Sequence, residues 1–353
     1  MALPALPSTV RDIDEWVELS HNHRLTDGLP VLPPTRQAVD RLVASSGRSR
    51  DDVLGRIPPR GGLASVEVVA ANAAMAGCPA DCMPVLLTAI EALLDPAFNL
   101  NGVQVTTHGC WPLLIVSGPI VDELGMATEE SLFSGGGAHA SVALGRALSL
   151  VLWNVGGTRP GAPVKEVFGH PGRLGYCVAE RSEQPWTSLH EARGLAAHQS
   201  AVTLFACESP HSVAFWGLGA DPEERLKAVA DTMNPSGSNN THTMGEILVA
   251  FSPAEARHLN SCGYSREQVQ HRLFELSQRR IGDIRSKSED APAVYEWWPD
   301  SIDQDDPDAL VPIVNGPDSI HLIVAGGDSI PWAAVCPGWG HLGGYAVTRA
   351  IPA

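Results

Sequence analysis

The sequence predicts an α/β protein in which mixed sheets pack against helices, as two pseudo-duplicated halves around a cleft. Short apolar runs typical of buried strands alternate with longer apolar segments of helical spacing, and glycine or proline separates them. The chain has 353 residues, of which 44% are hydrophobic, enough to bury a large core. At about 150 residues per domain, we expect an N-terminal half over 1–205 and a C-terminal half over 206–353.

The first elements are assigned from amphipathic spacing and from proline and N-cap signals. In chain order we predict an amphipathic segment over 9–25, a proline-rich loop over 26–34, and helices over 35–44, 50–55, 64–76 and 80–94.

The later elements alternate more regularly. Apolar runs predict strands over 113–116, 174–180, 200–206 and 246–251, and helical patterns occupy 139–153, 222–233 and a helix pair over 254–277. The most polar segment, 234–243, is predicted to be a mobile loop.

An internal similarity suggests a duplication. Residues 71–93 and 254–277 each follow a helix–glycine–helix pattern. Downstream of each lies an apolar strand that ends in glycine, at 113–118 and at 322–326. One interpretation is two related halves in which these two strands are equivalent; the alternative is chance, because helix–glycine–helix units and apolar strands that end in glycine are common.

Charge and composition exclude several classes of protein. The 24 basic and 40 acidic residues give a net charge of −16, which opposes binding to a nucleic-acid backbone. The apolar stretches are too short to span a bilayer, and no secretory signal is visible. Seven cysteines, an odd number, favour a reducing cytoplasm. We expect a small-molecule substrate, with a homo-oligomer or a partner enzyme left open.

Cys78 is the first candidate catalytic residue. It lies between Gly77 and Pro79 at the predicted start of a helix, where amide donors and the helix dipole lower a thiol pKa. The thiolate would be a nucleophile or, with Cys82 four residues on, a metal ligand. The alternative is a buried, inert thiol.

A His-x-Cys pair precedes the strand at 113–116. His108 would act as a base for a cysteine nucleophile, or His108 and Cys110 would complete a divalent metal site with Cys78 and Cys82. The alternative is a loop histidine and an inert thiol. No P-loop and no GxGxxG after a strand is present, so no NAD, FAD or nucleotide fingerprint exists.

A glycine triplet, 135–137, precedes a helix and is a candidate anion cradle. Gly135, Gly136 and Gly137 let the backbone approach a carboxylate or phosphate, and His139 and Ser141 add donors. A plain loop-to-helix turn is the alternative.

An acid, an indole and an imidazole follow the strand at 174–180. Glu180 and His190 would form an acid–base pair, with Trp186 beside the substrate. The competing interpretation is that Glu180 accepts from a backbone amide or pairs with an arginine.

Several of these stretches carry a resemblance to a known family. They are 27–35, 71–78, 114–120, 145–147, 154–157, 169–172, 179–180 with 185–186, and the helix pair with Gly263. With these residues the chain resembles a bacterial family of roughly this length that is associated with UGSC-motif (seleno)proteins. The resemblance covers most of the chain, carries no established reaction, and implies a binding role for Arg146. The family pattern has Arg and Asn where this chain has His139 and Ser141, and no Cys-Gly-Ser-Cys is present.

Three functional hypotheses remain. The first is a cytoplasmic lyase or hydrolase acting on a polar, carboxylate-bearing metabolite, with Cys78, His108, Glu180 and His190 in catalysis. The second is a metal-dependent enzyme with Cys and His ligands. The third is a non-catalytic subunit of a redox or biosynthetic enzyme.

Overall fold

The computed structural model describes residues 10–161, 163–285 and 295–352 and confirms an α/β fold with mixed sheets and packed helices. The helices are α1 (Ile13–Asn22), α2 (Arg36–Ser45), α3 (Val66–Met75), α4 (Met83–Leu93), α5 (Leu100–Val105), α6 (Ile120–Glu123), α7 (His139–Val151), α8 (Leu189–Ala192), α9 (Pro222–Met233), α10 (Asn239–Thr243), α11 (Pro253–Ser261), α12 (Arg266–Leu276) and α13 (Ile281–Ile284). The strands are β1 (Val53–Ile57), β2 (Gly62–Ser65), β3 (Trp111–Ser117), β4 (Cys177–Ala179), β5 (Ala201–Cys207), β6 (His211–Ala214), β7 (Ile247–Phe251), β8 (Arg279–Arg280), β9 (Leu310–Val311), β10 (Ile320–Val324), β11 (Trp332–Pro337) and β12 (Val347–Ala350).

The first large sheet has the order β12-β5-β3-β4. β3 is parallel to β4 and antiparallel to β5, and β5 is antiparallel to β12. Every residue of β3 and β5 is buried, because helices cover this sheet. α4 packs on β5 and β12, and α7 packs on β4. α4 is apolar apart from Thr88 and Glu91, as expected of a helix that is enclosed along most of its surface.

The second large sheet has the order β10-β7-β11-β6. β7 is parallel to β10 and antiparallel to β11, and β11 is antiparallel to β6. Its helical layer includes α9 and α12, which pack on each other and on this sheet. α12 begins with a capping box in which Ser265 and Gln268 satisfy each other's backbone amides.

The two sheets share one pattern of strand directions, but the corresponding edge strands differ in chain order, because β12 comes last in the first sheet and β6 comes first in the second. The predicted equivalence of strands is wrong, however. β3 corresponds to β7, because each lies inside its sheet. β10 corresponds to β4, because each is the edge strand that pairs in parallel. The boundary predicted at 205/206 falls inside β5, and β12 completes the first sheet although it comes last in the chain. The two sheets meet where Cys207, at the end of β5, pairs with Gly338 after β11.

Two local predictions are also wrong. The segment expected to be a helix over 50–55 enters the hairpin of β1 and β2, whose turn uses Gly61 at φ 70°. The segment expected to be a mobile loop over 234–243 contains α10, where the buried Asn240 amide donates to the Met244 carbonyl oxygen at 3.0 Å. Polarity there serves buried hydrogen bonds rather than solvation.

Within the described ranges no single helix is long and apolar enough to cross a membrane. One bent pair, Ala80–Leu93 with Pro96–Val105 at 70°, meets the criterion by length and composition only.

Candidate functional site

The Cys78 thiol is packed against two other thiols. It is 8% exposed, and both the neighbouring Cys82 thiol and burial raise its pKa above the ordinary range. Cys177 lies on the same cluster. The regular helix α4 begins only at Met83, after a short 3-10 turn over Ala80–Cys82. The amide donors expected to stabilise a thiolate are therefore not in place. The prediction of a lowered pKa for the Cys78 thiol is wrong.

The four predicted metal ligands do not come together. Cys78 and Cys82 lie beside Cys177, whereas Cys110 lies near Glu166, Glu208 and Arg173. In the part of the chain that the structure describes, no group of three or more His, Cys, Asp or Glu residues is arranged to hold a metal ion. The predicted Cys/His metal set is thus not assembled.

The glycine triplet forms a turn whose side-chain donors are already engaged. Gly135, Gly136 and Gly137 have φ values of 78°, 54° and 79°. The Ser141 hydroxyl accepts from the Ala127 amide at 2.9 Å, and His139 Nε2 lies 2.8 Å from the Gly77 carbonyl oxygen. These two side chains bind neighbouring backbone segments. The prediction that they bind an anion is therefore replaced by a structural role for both.

Arg146 and Trp186 also have structural partners. The Arg146 guanidinium donates to both carboxylate oxygens of Asp27, at 3.0 and 2.9 Å, and so fixes the proline-rich loop. The Trp186 indole donates to the Tyr264 carbonyl oxygen at 3.0 Å, and its ring lies edge-on to Phe251. Neither Arg146 nor Trp186 lines one of the grooves found among the described residues.

Glu180 and His190 are both buried but are not a pair. Burial raises the pKa of Glu180 to about 7, although its carboxylate accepts from the Leu189 amide at 2.8 and 3.0 Å. Arg266, which is 3% exposed, is the nearby cation. His190 Nδ1 lies 2.8 Å from the Ser188 hydroxyl, and burial lowers the pKa of its imidazole. Among the described residues, no contact joins Glu180 to His190, so the predicted pairing is corrected.

His108 has the partner that an acid–base residue needs. Its Nε2 lies 2.9 Å from Oε1 of Glu208, the residue that follows β5. Behind this pair the Arg173 guanidinium stacks on Trp111, with 4.1 Å between Cζ and the ring centroid, and it is paired with the Glu166 carboxylate. Burial, and the acidic groups nearby, raise the pKa of Cys110, so this thiol is protonated.

His170 lies next to this network and has one fixed tautomer. Its Nδ1 accepts from the Gly172 amide at 2.8 Å, which places the proton on Nε2. Nε2 is buried near the Glu208 carbonyl oxygen but is not aligned for a hydrogen bond. Burial lowers the pKa of His170 to about 4, so the ring is neutral at pH 7.

Tyr176 supports His170 from the end of the same loop. The two ring centroids are 5.1 Å apart, and the Tyr176 hydroxyl donates to the Glu208 carbonyl oxygen at 3.1 Å. The Cys207 and Cys336 sulfurs lie 3.7 and 3.8 Å from the same hydroxyl. Burial raises the pKa of Tyr176 well above its ordinary value, so it stays a hydrogen-bond donor.

A groove of about 550 Å³ opens onto His170 and Tyr176, and we call it the His170 groove. Its walls come from the turn at 131–134, from residues 170–172 with Gly175 and Tyr176, and from Ser209, Pro210, Ser212 and Ala334. Both sheets therefore contribute to it, as expected of a cleft between halves. Its hydroxyl groups belong to Ser131, Ser134, Ser209, Ser212 and Tyr176.

The sequence had singled out His108 and the glycine turn near this groove, but it had missed His170, Tyr176 and Glu208. The available signal was the turn Gly169-His170-Pro171-Gly172, a histidine held by a glycine-rich loop. In sequence His108 and His170 are far apart, so spacing alone does not connect them.

Comparison with known proteins gives no further assignment. No family model matches the chain, and no curated protein matches its sequence.

Proposed function

We propose that the chain is a small-molecule enzyme that performs acid–base chemistry of the lyase or hydrolase type at the His108–Glu208 pair, with its substrate bound in the adjacent His170 groove, whose lining includes Ser209, the residue after Glu208. The observation that carries the proposal is the His108–Glu208 contact of 2.9 Å beside a neutral His170 of fixed tautomer. A carboxylate that accepts from one imidazole nitrogen leaves the other nitrogen as a base and stabilises the imidazolium.

Each group has a role that its protonation state supports. His108 takes a proton from water or from the substrate, while the Glu208 carboxylate holds the ring. His170 lines the groove as a neutral ring, and its Nε2 is buried near the Glu208 carbonyl oxygen, so we give it a positioning role beside Glu208. Tyr176 positions His170 by packing against it. Water is then the nucleophile of a hydrolase, because the raised pKa of Cys78 keeps that thiol protonated.

The groove suits a polar metabolite. The serine hydroxyls of its walls can bind carbonyl, hydroxyl or carboxylate oxygens. The adjacent glycine turn lets backbone amides approach a carboxylate. We therefore retain a carboxylate-bearing metabolite as the proposed substrate class.

Two further proposals concern context. We place the protein in the cytoplasm, supported by seven free cysteines, of which six are buried. We also propose a divergent relationship to the bacterial family associated with UGSC-motif (seleno)proteins. The turn that holds His170 is among the stretches that carry this resemblance. A structure of a member without an equivalent of His170 would argue against that kinship.

Substitution of the proton-handling pair tests the proposed function. A screen of carboxylate-bearing metabolites and their esters and amides would first identify a substrate by turnover. His108→Gln should then lower kcat by about 100-fold or more, since a positioned base contributes at least that factor. His211→Gln is the matched control, because His211 is exposed on β6.

The outcome separates the hypotheses. Turnover within twofold of the original in both His108→Gln and Glu208→Gln would contradict the assignment of the base. Absence of turnover across the whole screen would favour the non-catalytic subunit. Unchanged unfolding temperatures in the variants would show that the loss of activity is not a loss of folding.

A further inference from the structure

Three arginines around Trp153 have no acidic partner among the described residues. They are Arg24 after α1, Arg60 between β1 and β2, and Arg159 after α7. Other arginines nearby are paired, for example Arg50 with Glu67 and Arg146 with Asp27. We call Arg24, Arg60 and Arg159 the arginine cluster.

The backbone around Trp153 holds the cluster together. The Trp153 indole donates to the Arg24 carbonyl oxygen at 3.0 Å, and its ring lies 5.7 Å from the Arg159 Cζ. The Arg60 amide donates to the Gly156 carbonyl oxygen at 3.0 Å. The Arg60 side chain also packs against Gly157. A Cβ added at Gly157 would lie 2.4 Å from the Arg60 Cδ. These contacts bring the three residues to the single turn of π-helix at Leu152–Gly156, an irregularity frequent at functional sites, and the charges of Arg24 and Arg60 act on Arg159.

The arrangement is costly without an anion. Burial, and then the charges of Arg60 and Arg24, lower the pKa of Arg159. The Arg159 Nε is buried and has no hydrogen-bond partner. Arg24 adopts a φ of 54°, a left-handed conformation that is strained for a residue with a Cβ. Like charges, an unsatisfied donor and backbone strain at one place indicate a group that a ligand would complete.

An apolar cavity of about 300 Å³ lies against the same π-helical turn, because Asn154 and Val155 belong to its lining. Its wall includes Leu25, next to Arg24 in the chain, and Gly62, two residues after Arg60. The remaining apolar lining is mainly from Leu63, Val68, Ala71, Met75 and Val155. Glu67, the acidic residue of the lining, is already engaged by Arg50. A ligand body in this cavity would contact carbon, while its head would meet the guanidinium groups.

We propose that the arginine cluster and this cavity are a binding site for an amphipathic anion. Its phosphate or carboxylate head would lie among Arg24, Arg60 and Arg159, and its apolar body would fill the cavity. Arginine suits such heads because its planar donors match two anionic oxygens at once. The site shares no lining residue with the His170 groove and does not depend on the function proposed there.

Binding of three probes to the full chain tests this site. Octyl phosphate carries both parts of the proposed ligand, inorganic phosphate only the head, and 1-octanol only the body. Octyl phosphate at saturating concentration should raise Tm by about 3 °C or more. Octanoate replaces the head and distinguishes a phosphate site from a carboxylate site.

Substitutions then assign the two parts. Arg159→Gln should weaken octyl phosphate binding by about tenfold or more, the usual worth of a charged hydrogen bond. Ala71→Leu should reduce the advantage of octyl phosphate over inorganic phosphate. Arg36→Gln is the matched control, because Arg36 is an exposed arginine on α2.

Two results would overturn the proposal. One is an equal rise in Tm for the unmodified protein and for an Arg60→Gln/Arg159→Gln double variant. The other is a response to octyl phosphate no larger than the response to inorganic phosphate or to 1-octanol, including no response at all. The exposed position of Arg60 makes it the safer of the two substitutions for folding.

Discussion

Beside the His170 groove the charged side chains have opposite partners, whereas in the arginine cluster three cations have no acidic partner among the described residues. His108 faces Glu208 and Arg173 faces Glu166. Around Trp153, by contrast, the neighbours of Arg159 include Arg24 and Arg60. A balanced network holds neutral and charged groups in defined protonation states, which proton transfer requires. An unbalanced one leaves positive charge for a ligand to neutralise.

The largest expected effect comes from removing one partner of the balanced network. Arg173→Ala leaves Glu166 buried without a cation, since that carboxylate side chain is 4% exposed. We expect a loss of about 3–5 kcal/mol in the free energy of unfolding, measured by urea denaturation. Arg280→Ala breaks the exposed pair with Asp308 and should change the free energy of unfolding far less, because solvent screens an exposed pair. Similar losses in the two variants would remove the contrast between buried and exposed pairs.

A pH dependence tests the neutral state of His170. Burial lowers its pKa from 6.5 to about 4, so between these values the unfolded chain binds a proton that the folded chain does not. The free energy of unfolding should therefore fall as the pH falls through this window, by up to about 3 kcal/mol from this residue. The difference between pH 7 and pH 4.5 should shrink in His170→Gln. An identical pH profile in His170→Gln and His211→Gln would refute a neutral His170.

Thiol alkylation tests whether Cys78 is an inert, protonated thiol or a reactive nucleophile. The pKa of the Cys78 thiol is raised, whereas Cys262 is exposed. Iodoacetamide at pH 7 should modify Cys262 about tenfold faster or more, because the thiolate is the reactive form. Mass spectrometry of peptides gives both rates, and Cys262→Ser should leave no rapidly modified thiol. Faster modification of Cys78 would restore it as a nucleophile.

The smallest effect is expected at the arginine cluster without ligand. Arg60→Gln removes a like charge near Arg159, so it should leave the free energy of unfolding unchanged or raise it by about 0.5 kcal/mol. The difference should diminish at high salt, which screens exposed charges. A clear destabilisation, measured at low salt by urea denaturation, would mean that Arg60 has a stabilising partner and that the cluster is balanced after all.

Local patterns predicted much of the fold. The apolar segments at 64–76, 80–94 and 139–153 match α3, α4 and α7 within a few residues, because enclosed helices and strands are apolar along their length. The pairing of strands cannot be predicted from these local patterns. β5 lies between β3 and β12, and nothing in an apolar run specifies which of several strands will be its neighbour.

The sites were less predictable than the fold, because they depend on contacts between distant segments. Arg146 looked like a binding residue, yet its fork is occupied by Asp27, which lies 119 positions earlier. Arg24 and Arg159 become neighbours only through Trp153. His108 is a candidate from its sequence context, but the carboxylate that it contacts is Glu208 rather than any acid near it in sequence.

The late position of β12 in the chain affects how the first sheet folds during translation. β5 is paired on one side by β3, but its other edge is covered only by β12, about 140 residues later. At roughly 5–20 residues per second, a ribosome needs about 7–30 s to reach β12. Throughout that interval an apolar edge strand is open to pairing with another nascent chain. The first sheet is therefore the part of this protein that has most to gain from a chaperone during translation.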